Sequence, residues 1–113
     1  MITIYHNPRC QKSRAALTYI ESIGDAIMVV DYLKTPPTIT EIKSILKKLK
    51  IKPENLIRTK EELYKSTFKG KQFTDEQWIK ILSEHPILIE RPIILKGTYG
   101  VIGRDEESLK KIH

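Results

Sequence analysis

The chain holds a single cysteine, Cys10, among 113 residues. One thiol closes no internal disulfide, so no cross-link supports the fold and a reducing compartment is expected. It also rules out zinc-finger spacing, no metal site is expected, and any redox cycle must take its second thiol from outside. Long apolar runs are missing as well. Nothing approaches the ~18 residues of a membrane span, and the start, Met1-Ile2-Thr3-Ile4-Tyr5-His6, has neither a basic nor an apolar leader segment. No membrane partner and a cytoplasmic location are therefore expected. Aromatic residues make up only 7% of the chain, and none is interleaved in the cluster Lys43, Lys47, Lys48, Lys50 and Lys52. A net charge of +6 would attract phosphate backbones, but these lysines alternate with apolar residues at helical spacing and read as a solvated helix face. No nucleic-acid partner is expected.

What is present is ordinary globular material, 40% apolar beside 30% charged, at a length that suits one domain spanning 1–113. Ile2-Thr3-Ile4-Tyr5 alternates as a strand and stops at the turn-forming Asn7-Pro8. From about Gln11, Ala16, Leu17, Ile20 and Ile23 recur at helical spacing and Gly24 supplies a stop. The β-branched run Ala26-Ile27-Met28-Val29-Val30 reads as a buried strand, completing a βαβ unit.

Three capping boxes follow: Thr38 with Glu41, Thr59 with Glu62, and Thr74 with Gln77. They predict a helical insert, with Ile42, Ile45, Leu46 and Leu49 on one apolar face and Trp78, Ile81 and Leu82 on another. Pro92-Ile93-Ile94-Leu95 and Tyr99-Gly100-Val101-Ile102 then form a hairpin about Lys96-Gly97, and a last helix starts at Asp105. The order predicts an α/β, thioredoxin-like fold: a mixed four-stranded sheet with flanking helices and a helical insert between the βαβ half and the ββα half.

Cys10 falls between the first strand and its helix, where free backbone N–H groups and the helix dipole favour a thiolate. His6 and Arg9 could add positive charge, and Ser13, one turn on, could donate a hydrogen bond to the sulfur. Position 13 is serine, which excludes a Cys-x-x-Cys dithiol, and position 16 is alanine, which excludes a Cys-x5-Arg phosphatase loop. A monothiol Cys-x-x-Ser site remains, with a thiolate able to attack a substrate.

His6-Asn7-Pro8-Arg9-Cys10 with Ser13-Arg14, then Leu56-Ile57-Arg58, then His85-Pro86-Ile87-Leu88-Ile89-Glu90-Arg91-Pro92-Ile93 resembles the glutaredoxin-linked arsenate reductase (ArsC) family from end to end, as a short member. The resemblance implies that Cys10 attacks arsenate, with His6 and Ser13 supporting it. It implies that Arg58, Arg91 and Arg104, with Arg14 beside the cysteine, hold the oxyanion. Guanidinium forks, always charged and bidentate, suit a tetrahedral oxyanion better than lysine does. It also implies a cis peptide at Arg91-Pro92, glutathione as co-substrate, glutaredoxin as partner and no bound cofactor. Related thioredoxin-like proteins include transcriptional regulators that bind RNA polymerase through a Cys-x-x-Cys switch, against which Ser13 argues. The same site could also serve a glutathione-dependent thiol oxidoreductase acting on another substrate.

Overall fold

The computed structural model describes residues 1–112. The chain divides into two compact units, one joining Met1–Thr35 to Arg91–His113 and the other spanning Pro36–Glu90.

The first unit holds all four strands. β1 (Ile2–His6) leads into α1 (Gln11–Glu21), and β2 (Ile27–Asp31) returns parallel to β1. β3 (Ile93–Lys96) pairs antiparallel with β1, and β4 (Tyr99–Ile102) pairs antiparallel with β3, giving the order β2-β1-β3-β4. This is the mixed α/β sheet that the element order implied. Ile4 sits at its centre, opposite Val29 on one side and Ile94 on the other. The β3–β4 turn needs a left-handed residue and finds it in Gly97, at φ 62°. After β4, α4 (Glu106–Leu109) is capped by the Asp105 carboxylate, which accepts from the Ser108 N–H at 2.8 Å.

One face of this sheet is sealed by α1 and the C-terminal segment. Ile2, Ile4, Ala16, Ile20, Ile94, Leu109 and Ile112 form the buried cluster, with Leu17 and Ile23 packed on its margin. Each buried isoleucine contributes roughly 2 kcal/mol relative to exposure, enough to fix the orientation of α1 and hence of the turn before it. Gly103 lies at the tightest point, its N–H donating to the Pro92 carbonyl at 2.8 Å. A Cβ there would meet Ile94 Cδ1 at 2.7 Å and Leu109 Cδ2 at 2.8 Å.

β2 corrects one expectation. Its apolar run implied a buried strand, yet β2 lies at the sheet edge and leaves Met28 and Val29 about half exposed, at 51% and 49%. Apolar composition alone does not separate an edge strand from an interior one.

The second unit is the expected helical insert. α2 (Ile39–Leu49) and α3 (Asp75–Glu84) each open on the expected capping box, Thr38 with Glu41 and Thr74 with Gln77. α2 buries Ile42, Ile45 and Leu46 and packs against α3. The inner face of α3 carries Trp78, Ile79 and Leu82, so Ile79 takes the buried place expected of Ile81. The Thr59 box is followed by a short helical segment from Glu62, not by a regular long α-helix. The chain there winds into a single π-helical turn, Tyr64–Phe68, whose Phe68 ring packs with those of Phe73, Trp78 and His85. An antiparallel bridge between Ile57 and Ile89 ties the middle of the insert to its C-terminal end. Beside it the Arg58 N–H donates to the Leu88 carbonyl and the Glu90 N–H to the Leu56 carbonyl, both at 2.8 Å.

Candidate active site

The turn from β1 to α1 is a closed hydrogen-bonded structure. The Arg9 N–H donates to Asn7 Oδ1 at 3.0 Å, and the Cys10 N–H donates to the Asn7 carbonyl at 3.0 Å. Arg14 Nη1 reaches back to the Pro8 carbonyl at 2.9 Å, so its guanidinium ties the loop to the first turn of α1. Cys10 is thereby set as the N-cap of an eleven-residue helix, with extended backbone angles and an intermediate exposure. No carboxylate occupies the first turn of α1, and the Cys10 side chain makes no capping hydrogen bond.

Electrostatics at the sulfur combine opposing effects. Burial, the largest influence, pushes the Cys10 thiol up. The Ser13 backbone N–H, the Arg91 charge, the Lys12 backbone N–H and a hydrogen bond from the Arg91 side chain together outweigh it, so the thiol lies below its ordinary value. The helix N-terminus thus acts as an anion site occupied by the protein's own sulfur.

Two expectations change in detail. The sequence neighbours His6 and Arg9 are the expected sources of charge at the sulfur, but the guanidinium acting on it is that of Arg91, at the cis Arg91-Pro92 bond preceding β3. Only the folded sheet brings that residue to Cys10. Ser13 was expected to aim its hydroxyl at the sulfur. Instead Ser13 Oγ lies 2.7 Å from His6 Nδ1 and accepts from the Asn7 N–H at 3.0 Å, while its backbone N–H serves the thiolate. The Ser13 hydroxyl thus links the imidazole of His6 to the backbone of Asn7 across the turn.

His6 is buried at 7% exposure, as is Ser13 at 0%. Burial is the largest influence on His6 and pushes it below its ordinary value. Asp31, its register partner on β2, pulls the other way, and Arg14 adds to the lowering. His6 therefore stands as a neutral ring that braces the turn.

The first unit thus brings together His6, Cys10, Ser13, Arg14, Arg91 and Pro92. Arg104 follows β4 on the exposed segment after Gly103, where its charge helps to lower the Asp105 carboxyl, after the larger effects of the Ser108 hydrogen bonds. Arg58 belongs to the second unit, where Glu61 pairs with it. The spacing of three residues between Arg58 and Glu61 is the sequence signal for this pair. Among the described residues no group of three metal-ligating side chains occurs, and no helix is long and apolar enough to cross a membrane.

A four-stranded mixed sheet with a lone thiol, lowered from its ordinary range, at its first βα turn and serine in place of a resolving cysteine defines a thioredoxin-like monothiol protein. Residues 5–112 match the ArsC family, and the chain belongs to it. An arsenate reductase of Neisseria meningitidis is 39% identical over 113 residues, which cover 98% of this chain and 97% of the relative. An arsenate reductase of Haemophilus influenzae is 40% identical over the same span and coverage. The solved structure of an arsenate reductase from Vibrio cholerae superimposes with a TM-score of 0.93 at 38% identity, covering 99% of this chain and 97% of that one.

Proposed function

We propose that this chain is an arsenate reductase that uses Cys10 as nucleophile, glutathione as co-substrate and glutaredoxin as the partner that restores the thiol. The single observation that carries the reading is Cys10 at the N-terminus of α1, within reach of the Ser13 and Lys12 N–H groups and the Arg91 guanidinium, in a chain about 40% identical to arsenate reductases over nearly its whole length. A thiolate at neutral pH is the form that attacks, and a guanidinium beside it suits an incoming oxyanion.

The proposed reaction starts when the Cys10 thiolate attacks As(V) of arsenate and one arsenate oxygen leaves as water after protonation. An S–As bond forms. A glutathione thiolate then attacks the Cys10 sulfur, forming a mixed disulfide, and the S–As electron pair passes to arsenic, which leaves as As(III). Glutaredoxin takes the glutathione from Cys10 by thiol–disulfide exchange and returns the free thiol. Two thiols thus supply the two electrons. In this scheme Arg91 has two roles, holding the thiolate before the attack and an arsenate oxygen during it. Arg58, Arg104 and Arg14 are the further oxyanion ligands, and His6 and Ser13 keep the turn in shape. A cycle that depends on free glutathione suits a reducing cytoplasm.

The test is arsenate-dependent NADPH oxidation with purified protein, glutathione, glutaredoxin and glutathione reductase. A rate that needs arsenate and both thiol components, and disappears in Cys10→Ser, is expected. A rate that persists without glutathione would overturn the proposed reductant. Equal rates for wild type and Cys10→Ser would overturn the nucleophile.

A further inference from the structure

Arg58 is not presented as an open cation. Its Nη1 lies 3.4 Å from Glu61 Oε2, and both side chains are mostly buried, at 21% and 22% exposure. The arrangement is pinned by the backbone: the Arg58 N–H is fixed on the Leu88 carbonyl at 2.8 Å, and the Glu61 N–H donates to the Arg58 carbonyl at 3.1 Å. The tight turn therefore delivers a carboxylate to this guanidinium whenever the insert is folded. The contact runs through Nη1, and a guanidinium carries five N–H donors, so one carboxylate does not exhaust its capacity for a second anion.

Resting on the proposed oxyanion role of Arg58, we infer that Glu61 is the resident counter-ion of that arginine, exchanged against the arsenate oxyanion on binding and re-paired when the product leaves. The chemistry of the reaction supports a need for such a group. Arsenate arrives as a mono- or dianion at neutral pH, while arsenous acid leaves uncharged. A mostly buried guanidinium without a counter-charge after product departure would carry a desolvation cost, and a carboxylate already in place removes it. The same carboxylate weakens the initial capture of any oxyanion, because two negative charges then compete for one cation. Glu61 in this role holds no reacting atom. It sets the affinity window for the substrate and for non-reacting oxyanions of the same shape, such as inorganic phosphate.

The experiment measures binding of arsenate and of inorganic phosphate by titration calorimetry, in the Cys10→Ser protein so that no turnover occurs. Three backgrounds are compared: otherwise unchanged, Glu61→Gln and Arg58→Ala. Glu61→Gln keeps an oxygen to hold Arg58 and removes only the charge. Its dissociation constants for both anions are expected to fall by about threefold to tenfold, with a smaller gain at high salt. Arg58→Ala is expected to weaken both. In the reactive protein, Glu61→Gln is expected to lower KM for arsenate without raising kcat, a split that a merely structural role would not produce. Weaker binding in Arg58→Ala with unchanged or weaker binding in Glu61→Gln would overturn the counter-ion role and leave Arg58 as an oxyanion ligand. Unchanged binding in Arg58→Ala would overturn both.

Discussion

His6 Nδ1 and Ser13 Oγ lie 2.7 Å apart across the turn that carries Cys10, and the Asn7 N–H donates to the same oxygen at 3.0 Å. One hydroxyl thus serves the buried His6 ring and the part-buried Asn7 N–H while the backbone of the same residue serves the sulfur. The serine that replaces a resolving cysteine is a structural brace for the nucleophile's turn.

Ser13→Ala separates these two roles. It leaves His6 Nδ1 and the Asn7 N–H without their partner in a buried setting and is expected to cost about 2 kcal/mol of stability. Urea denaturation reads this loss. The Ser13 N–H remains, so the pH at which Cys10 becomes reactive to iodoacetamide should shift far less than in an Arg91 variant. A large rise in that pH, with stability unchanged, would place the hydroxyl on the sulfur instead.

Arg91 can be divided by charge and by shape. Arg91→Met should move the Cys10 alkylation profile to higher pH, toward the ~8.5 of a free thiol, because both the charge and the hydrogen bond are lost. Arg91→Lys should keep part of the lowering yet lose most arsenate turnover, since an ammonium cannot present a fork. Full turnover in Arg91→Lys would contradict the oxyanion role.

The pH dependence of stability follows from His6. Its folded value is pushed below the ordinary 6.5, so the folded state binds fewer protons than the unfolded state as pH falls. The contribution is fully present above about pH 6.5, the unfolded value, and is lost as pH falls through the folded value. The thermal midpoint should drop between pH 7 and pH 5, and His6→Gln should flatten that drop. An equal drop in His6→Gln would assign it to other groups.

Gly103 tests the packing that orients α1. Its Cβ in Gly103→Ala would force the terminal methyls of Ile94 and Leu109 aside in a filled core, at an expected cost of about 1–3 kcal/mol. Urea midpoints check this, and a neutral result would mean that the C-terminal segment yields easily.

Much of this architecture is written locally. The strand periods of Ile2–Tyr5 and the 93–102 hairpin, and the boxes at Thr38 and Thr74, correspond to real elements because each is decided by its own residues. The misread parts were decided elsewhere in the molecule. Met28 and Val29 are exposed because β2 has a neighbour on one side only, and the helix after the Thr59 box widens into a π turn at Tyr64–Phe68, which no capping residue announces. At the site, Cys10 at a helix start was legible from spacing. That Arg91 acts on the sulfur, and that the Ser13 hydroxyl turns to His6, depends on chain segments meeting in the folded unit.

The central claim is that the Cys10 thiolate itself carries arsenate to arsenite, and a single-turnover experiment tests it most directly. Wild-type protein mixed with arsenate and glutathione, without glutaredoxin, is assayed for arsenite released and for the state of Cys10 by mass spectrometry. The expected result is about one arsenite per Cys10, with glutathione disulfide-bonded to that residue and neither product in Cys10→Ser. Arsenite formed without any modification of Cys10, or no arsenite while the thiol still titrates below the ordinary range, would contradict it.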